Sequence, residues 1–200
     1  MASNHKGLIF VISGPSGSGK TTLLKSLFKY KDLKTRIVKS VSFTTRPRRS
    51  GEKQGQDYFF ITKERFSRYL KAKKILEWTR YLGYYYATPR DFIERHRKAG
   101  KHILLCLDLR GALRIKRLYP EVAVTVFVQP PSFSALSERI RKRCNKTKTD
   151  EIRRRLELAR RELLYIEKYS YAILNKDLKM ASRKLKMIIL KEMRLRGYGN

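Results

Sequence analysis

The chain has 200 residues, of which 42% are hydrophobic, and this is enough for one α/β domain with a sizeable core. Its 48 lysines and arginines against 17 acidic residues leave a formal charge of +31, which favours contact with polyanions. No apolar run reaches the roughly 18 residues that a membrane span needs, and two cysteines exclude a disulfide framework. We therefore expect a cytoplasmic protein that has no membrane partner.

The basic residues are spread through every segment, so we interpret them as the solvated surface of an enzyme. A nucleic-acid-binding surface is the alternative, although no RNA- or DNA-binding motif accompanies it, and any such binding is expected to be non-specific. The basic, amphipathic stretch 176–196 carries the same two interpretations. It is the last helix of the fold or, alternatively, a helix that binds RNA or a membrane surface.

A strand, a glycine-rich loop and a helix are predicted at the start of the chain. The β-branched and aromatic residues of Lys6–Ile12 favour a buried strand, and a helix is predicted from about Lys20 to Tyr30. Glycines allow backbone N–H groups to curl around phosphate oxygens, and the helix N-terminus adds its positive dipole end. The loop G-x-x-x-x-G-K-T therefore predicts a site for a nucleoside triphosphate such as ATP, formed by Gly14, Pro15, Ser16, Gly17, Ser18, Gly19, Lys20 and Thr21.

Two residues of this loop have predicted chemical roles. Lys20 would contact the β- and γ-phosphates, and the Thr21 hydroxyl would coordinate Mg²⁺. The loop alone does not choose between a kinase, an ATPase and a GTPase. Asn145-Lys146-Thr147-Lys148 has lysine where the base-reading motif of a GTPase has aspartate, and a chain of this length suits a monophosphate kinase.

Strands and helices alternate along the rest of the chain, which predicts an α/β fold with a central parallel sheet flanked by helices. Between about residues 41 and 90 short strands break the alternation and indicate an inserted lobe. The predicted strands are Ile37–Phe43, Tyr58–Ile61, His102–Leu109, Val122–Val128 and Tyr171–Leu174. The segments Ile75–Tyr81 and Tyr84–Ala87 flank Gly83 and are predicted as a strand pair or an extended loop. The predicted helices are Thr62–Ala72, Pro89–Lys98, Gly111–Leu118, Ser134–Arg143, Asp150–Tyr169 and Leu178–Met193, with an irregular Cys144–Thr149 and a frayed Arg194–Asn200.

The helix predicted over Asp150–Tyr169 has an apolar face. Its members are Ile152, Leu156, Ala159, Leu163 and Ile166.

The string S-V-S-F-T-T-R-P-R-R-S-G-E over residues 40–52 resembles the guanylate kinases, and the likeness extends from about Leu8 to Met193. Glu77-Trp78, Ala87-Thr88 and Asp108 take part in it. The resemblance implies a P-loop kinase that transfers the γ-phosphoryl group of Mg·ATP to GMP, and to dGMP. It also implies one domain with a core of residues 1–40, 91–137 and 157–200, a GMP-binding lobe at about 41–90 and a short lid at about 138–156.

The resemblance assigns residues to the acceptor. Guanidinium forks and phenolic hydroxyls suit a dianionic phosphate, and a carboxylate can accept both the N1–H and the 2-amino group of guanine. Glu77 matches the family position of that carboxylate, Thr88 that of a hydroxyl on the base, and Asp108 is assigned to the same GMP site. The residues implied for the GMP phosphate are Ser42, Arg46, Arg49, Tyr58 and Tyr86.

The same likeness implies that transfer depends on Lys20, Arg49, Arg143 and Arg155, the last two at the lid and its hinge. One departure concerns Cys106, which stands where many members carry the first acid of Asp-x-Asp. Its presence leaves Thr21 and the nucleotide as the metal ligands.

Three alternatives stay open beside this interpretation: a binding module without catalysis, a kinase for another small acceptor such as a ribose bisphosphate, and nucleic-acid binding in addition to kinase activity. The chain is expected to be a monomer or a homodimer.

Overall fold

A computed structural model gives the fold and describes residues 6–143 and 149–198. Its strands are β1 (Ile9–Ser13), β2 (Ile37–Lys39), β3 (Phe43–Thr44), β4 (Phe59–Phe60), β5 (Ile75–Tyr81), β6 (Tyr84–Pro89), β7 (His102–Cys106), β8 (Ala123–Gln129) and β9 (Tyr171–Leu174). Its helices are α1 (Lys20–Leu27), α2 (Lys31–Lys34), α3 (Lys63–Lys71), α4 (Arg90–Lys98), α5 (Leu109–Leu118), α6 (Phe133–Arg143), α7 (Thr149–Leu163) and α8 (Leu178–Leu195).

The strands form two sheets. The larger sheet has the order β2-β7-β1-β8-β9, with parallel pairing of β2 to β7 and of β8 to β9. The residues of β1 are all buried, as are most of those in β7 and β8, which is the profile of central strands in a parallel sheet covered on both sides. The predicted α/β fold with a parallel sheet is therefore confirmed.

The smaller sheet has the order β4-β3-β6-β5 and contains an antiparallel hairpin of β5 and β6. The chain divides into two compact units. One comprises Ile37–Leu105 and the segment before Phe10, and the other comprises Phe10–Arg36 and the segment from Cys106 onward. The smaller sheet lies in the first unit, and the glycine-rich loop lies in the second.

Helix α3 covers one face of the smaller sheet. Thr62 caps the helix by accepting a hydrogen bond from the Arg65 amide at 3.2 Å, as its position before the helix predicted. Phe66 then packs with Ile75 and Ala87 in a buried cluster. This face of the sheet forms the hydrophobic core of the lobe.

Helix α7 differs from its prediction. It ends at Leu163 and is followed by a 3₁₀ turn over Ile166–Lys168. The centre of the predicted apolar face is confirmed, because Ala159 is buried with Leu136 and Ile140, and Ile152 and Leu156 pack against this cluster. The helix also buries Arg155 and Glu162, which hydrophobic periodicity did not predict.

Several other boundaries also differ from the sequence expectation. The extended segment 37–43 is two strands, β7 ends at Cys106, and α2 was not predicted. Fraying from Arg194 is wrong up to residue 198, because α8 continues to Leu195 and the Arg36 guanidinium donates to the Tyr198 carbonyl. Of the segment expected to be irregular, residues 144–148 lie outside the described residues. Across the described ranges, the helices are too short or too polar to cross a membrane.

Candidate nucleotide-binding sites

The glycine-rich loop follows β1 and leads into α1. Gly14 and Gly19 have φ angles of 134° and 93°, a region that side-chain-bearing residues rarely adopt. A Cβ on Gly14 would lie 2.4 Å from the Val128 carbonyl oxygen, and one on Gly19 would lie 2.3 Å from the side-chain nitrogen of Asn175. The loop therefore requires glycine at these positions for both its backbone angles and its space.

Asn175 ties the loop to the end of β9. Its side-chain amide donates to the Ser18 carbonyl at 2.8 Å, and its backbone amide donates to the Gln129 carbonyl at 2.8 Å. Asn175 and Ser18 are both buried. A single residue thus connects the loop to β8. It was not predicted as part of the site, and the only signal in the sequence was its position directly after the last strand.

Lys20 is the first residue of α1, and its ammonium folds back over the loop. The Nζ atom donates to the Gly14 carbonyl at 2.6 Å and to the Pro15 carbonyl at 2.9 Å. The Thr21 side chain beside it is exposed at the same helix N-terminus. Backbone amides, one cation and one hydroxyl therefore converge at a place suited to phosphate oxygens.

A buried carboxylate, Glu162, completes the surroundings of Lys20. Burial and the negative charge of Asp108 raise the pKa of Glu162 to about 7, although the positive charge of Lys20 opposes this shift. Asp108 itself caps α5, where its Oδ1 accepts from the Gly111 amide at 2.8 Å. The surroundings of Lys20 therefore include a buried carboxyl with a pKa of about 7, to which the sequence analysis gave no role.

In the other unit, Arg46 and Glu52 form an ion pair. The Arg46 Nη2 atom donates to both Glu52 oxygens at 2.8 and 2.9 Å, and its Nη1 atom donates to the Pro47 carbonyl at 2.6 Å. Burial opposes the charge, but the hydrogen bond that Arg46 donates to Glu52 raises the pKa of Arg46 above its ordinary value. The guanidinium is thus fixed in direction and fully charged.

Glu52 was quoted in the motif but was given no role. Besides Arg46, it accepts from the Arg49 backbone amide at 2.9 Å. These hydrogen bonds lower the pKa of Glu52, against the opposing effect of burial. One carboxylate thereby orders the basic turn that carries Arg46 and Arg49, both implied for the GMP phosphate.

Aromatic residues surround the same guanidinium. The Tyr58 ring centroid is 5.6 Å from the Arg46 Cζ atom, and the Tyr58 and Tyr86 rings lie 5.9 Å apart, edge to face. The Ser42 carbonyl accepts from the Phe59 amide at 2.9 Å, which joins β4 to the segment before β3. The structure therefore groups Arg46, Tyr58 and Tyr86.

Glu77 and Thr88 form a buried pair on the hairpin. They face each other across the β5–β6 register, and the Thr88 hydroxyl donates to Glu77 Oε1 at 2.5 Å. Glu77 is 2% exposed and Thr88 is 0% exposed. Burying a carboxylate is costly unless polar groups satisfy it, so this arrangement suits a ligand that brings its own N–H donors.

The two arginines predicted for the lid and its hinge lie on different helices. Arg143 is the last residue of α6, and the lid residues 144–148 lie outside the described residues. Arg155 is buried on α7, and its guanidinium donates to Glu151 through both Nε, at 3.0 Å, and Nη2. Arg155 is therefore held by a carboxylate one helical turn away.

A phosphate-binding loop between a parallel strand and a helix, and a buried polar pair on an inserted sheet, define a P-loop nucleotide kinase. Comparison with known proteins identifies the family within this class. The guanylate kinase family model matches residues 6–192. A guanylate kinase of Caldanaerobacter subterraneus is 41% identical over 193 residues, covering 96% of this chain and 91% of its own.

A guanylate kinase of Thermotoga maritima is 42% identical over 187 residues, covering 94% of this chain and 88% of its own. The crystal structure of guanylate kinase from Anaplasma phagocytophilum matches with a TM-score of 0.73 at 33% identity, over 94% of this chain and 87% of that one. The chain belongs to the guanylate kinase family, and it is an ATP:GMP phosphotransferase.

Proposed function

We propose that the glycine-rich loop holds ATP and that Glu77 and Thr88 select GMP as the acceptor. The observation that carries this proposal is the buried Glu77 carboxylate, bonded to the Thr88 hydroxyl. Guanine presents an N1–H and a 2-amino group on one edge, whereas adenine presents neither donor there. A site built around a buried polar group rejects a base that leaves this group unpaired by a large factor.

The acceptor phosphate would be bound by the group of residues around Arg46. A guanidinium held by Glu52 presents its charge in one direction, so little side-chain entropy is lost when a phosphate arrives. Hydroxyl groups add further donors to the same phosphate. In this proposal the phosphate ligands are Ser42, Arg46, Arg49, Tyr58 and Tyr86, with Asp108 completing the GMP site.

The donor phosphates would be held by the loop amides and Lys20. The Lys20 ammonium now donates to the Gly14 and Pro15 carbonyls. When ATP binds, it would donate to β- and γ-phosphate oxygens instead, because these oxygens are also hydrogen-bond acceptors. Its charge would stabilise the negative charge that spreads over the transferred phosphoryl group. Arg49, Arg143 and Arg155 are proposed to add positive charge to the same step.

Mg²⁺ is proposed to accompany ATP. The exposed Thr21 hydroxyl supplies the hard oxygen donor that Mg²⁺ prefers. In the part of the chain that the structure describes, no group of three His, Cys, Asp or Glu side chains could hold a metal. Most of the ligands would therefore come from the nucleotide and water, and when bound the ion would neutralise phosphate charge.

All proposed substrate residues belong to one chain, so we propose that a monomer or a homodimer suffices for activity. ATP and GMP are cytoplasmic metabolites, and a cytoplasmic location is proposed on that ground. Acceptance of dGMP is proposed as well, because the residues assigned here address the base and the phosphate rather than the ribose 2′-hydroxyl.

An assay of ADP release with Mg·ATP tests this function. The acceptors are GMP, dGMP, AMP, UMP and CMP, each at the same concentration. We expect turnover with the two guanine nucleotides and at least about a hundredfold less with the others, as expected for a polar site left unpaired. Turnover with AMP equal to that with GMP would refute guanine selection, and no turnover with any acceptor would favour the binding-module alternative.

A further inference from the structure

We propose that Thr79 is a further residue of the acceptor site, and that its hydroxyl donates a hydrogen bond to the purine ring of bound GMP. Thr79 lies on β5, two residues after Glu77. This assignment rests on the proposed function, because it takes Glu77 and Thr88 as the residues that contact guanine. Thr79 would add a contact to the body of the base, beside the edge that Glu77 reads.

The β5–β6 register places Thr79 between two groups of proposed substrate ligands. Glu77 pairs with Thr88, and both are proposed for the guanine edge. Thr79 pairs with Tyr86, which is proposed for the phosphate. Side chains two residues apart on a strand point to the same side of the sheet and are about 7 Å apart. A GMP molecule that contacts both pairs therefore passes the Thr79 side chain.

Thr79 points away from the hydrophobic core of the lobe. Tyr85 and Ala87 pack in the core beneath α3, so Tyr86 between them points to the other side of the sheet. Thr79 faces Tyr86 across the register and shares that side. Glu77 and Thr79 are also both buried, with exposed fractions of 2% and 7%. The Thr79 hydroxyl is thus enclosed on the same side of the sheet as the Glu77 carboxylate.

The Thr79 hydroxyl has no hydrogen-bond partner among the described residues. The neighbouring hydroxyls on this side are bonded. Thr88 donates to Glu77 at 2.5 Å, and Thr44, which faces Tyr86, donates to a backbone carbonyl at 3.1 Å. An unpaired buried hydroxyl is destabilising, whereas valine would keep the branched shape that strands favour without this cost. A ligand that accepts a hydrogen bond accounts for a threonine at this position.

The protons of the two hydroxyls indicate which atoms of the base Thr79 contacts. The Thr88 hydroxyl has a single proton and donates it to Glu77, so it has none for the base. The purine nitrogens N3 and N7, which lie between the edge read by Glu77 and the ribose, are acceptors. We therefore assign the Thr79 proton to N3 or N7. Adenine has the same two nitrogens, so this contact adds affinity for a purine without selecting guanine.

Thr79→Val tests the assignment, because it removes the hydroxyl and keeps the branched shape. We expect the KM for GMP, and its dissociation constant from calorimetry, to increase about threefold to tenfold, as for the loss of one hydrogen bond. The KM for ATP should stay at the wild-type value. The melting temperature should stay or increase, because an unpaired buried hydroxyl is removed. An unchanged dissociation constant for GMP would overturn the proposal.

Thr125→Val is the matched control. Thr125 is also buried on a strand, but its hydroxyl accepts from the Ser170 amide at 3.0 Å. We expect this variant to be less stable than the wild type and to bind GMP normally, which is the reverse of the result for Thr79→Val. Thr79→Ser keeps the hydroxyl and should bind GMP almost as tightly as the wild type. Binding as weak as that of Thr79→Val would show that shape matters rather than the hydroxyl, and would refute the contact.

Deaza analogues of GMP identify the atom of the base. Replacement of N3 or N7 by a CH group removes one acceptor, so either 3-deaza-GMP or 7-deaza-GMP should bind the wild type about threefold to tenfold more weakly than GMP. In Thr79→Val that analogue and GMP should bind equally, because the same hydrogen bond is missing from both complexes. Analogue effects of the same size in the two proteins would contradict the assignment.

These results are separable from guanine selection. AMP has the same ring nitrogens, so Thr79→Val should leave the ratio of kcat/KM for GMP and AMP unchanged. If the acceptor panel refuted guanine selection, weaker GMP binding by Thr79→Val would still support the Thr79 contact. If Glu77→Gln lost GMP affinity while Thr79→Val kept it, guanine selection would stand and the Thr79 contact would be refuted.

Discussion

The donor loop and the proposed acceptor site would both bind a phosphate, but with different parts of the chain. The loop uses backbone: glycines at positive φ, amide groups and the end of a helix, with Lys20 as its one cation. The acceptor site uses side chains: Arg46 fixed by Glu52, and Glu77 bonded to Thr88. The donor loop is therefore sensitive to any added Cβ, and the acceptor site to the loss of a single charge.

The difference also explains what each site can recognise. Backbone amides bind phosphate oxygens of any nucleoside triphosphate, so the donor loop carries no information about the base. A buried carboxylate favours a partner that supplies hydrogen-bond donors, so the proposed acceptor site would distinguish guanine from adenine. In this proposal, selectivity for the base belongs to the unit that contains the smaller sheet.

The largest expected effect is that of Gly19→Ala. A Cβ at Gly19 would meet the Asn175 amide at 2.3 Å, and a side chain at φ 93° is strained in addition. We expect turnover to fall about a hundredfold or more, because displacement of the loop removes amides that stabilise the transferred charge. Steady-state kinetics with saturating GMP measure the loss.

Gly83→Ala is the matched control for this loop variant. Gly83 has a similar φ of 85°, but a Cβ there would meet nothing within 4 Å. We expect a loss of about 1 kcal/mol in the free energy of unfolding from backbone strain alone, with wild-type turnover. Equal turnover in the two variants would contradict the role given to space around the donor loop.

The next largest effect is a pH dependence of stability that arises from Glu162 near the donor loop. The backbone amides of the loop do not titrate and would give no such dependence. The pKa of Glu162 rises from 4.5 to about 7 on folding, so the folded state binds an extra proton between these values. Stability from this group is therefore lost as pH increases from about 4.5 to 7, by up to about 3 kcal/mol. Denaturant unfolding at several pH values should show a weaker decline in Glu162→Gln than in the wild type.

Glu157→Gln is the control for that measurement, because Glu157 lies exposed on the same helix. It should keep the wild-type pH profile. An unchanged decline in Glu162→Gln would show that another group is responsible and that the surroundings of Lys20 do not titrate near neutral pH.

A smaller effect is expected for Glu52→Gln in the acceptor site. The amide keeps the shape of the side chain but removes the charge that fixes Arg46, so we expect a loss of about 1–2 kcal/mol in the free energy of unfolding. The KM for GMP should increase about fivefold to tenfold, since an ordered guanidinium is a condition for phosphate binding. Thermal unfolding and kinetics with varied GMP measure both.

The exposed pair of Glu138 and Lys142 on α6 provides the comparison for the acceptor ion pair. Its Oε1 to Nζ distance of 2.6 Å is as short as that of Arg46 and Glu52, but both side chains are mostly exposed. Glu138→Gln should leave stability and KM unchanged, because water and salt screen exposed pairs. Equal effects of the two substitutions would mean that burial of the Arg46 pair is irrelevant.

The two sites were not equally predictable from the sequence. The donor loop is local: eight consecutive residues give its shape, and Gly14 to Thr21 could be identified without any knowledge of distant contacts. The β5–β6 hairpin confirms one of the two structures predicted for the segments that flank Gly83, a strand pair rather than an extended loop. The local sequence was sufficient where the structure is formed by residues that are close together along the chain.

The remaining features depend on contacts between distant segments, which a sequence pattern does not show. Asn175 reaches the loop from 157 positions away, and the buried Glu162 is affected by the charges of Lys20 and Asp108, which are distant in sequence. Periodicity alone assigned the buried side of α7 to apolar residues. The Arg46–Glu52 pair was closer in sequence, but only the fold shows that one carboxylate accepts from both the guanidinium and the Arg49 amide.

The central claim is that Glu77 reads guanine, and Glu77→Gln tests it most directly. The amide keeps the size of the side chain but presents N–H donors where guanine also has donors. We expect the KM for GMP to increase at least about tenfold, while the KM for ATP stays at the wild-type value. An unchanged KM for GMP in a folded Glu77→Gln enzyme would contradict the account.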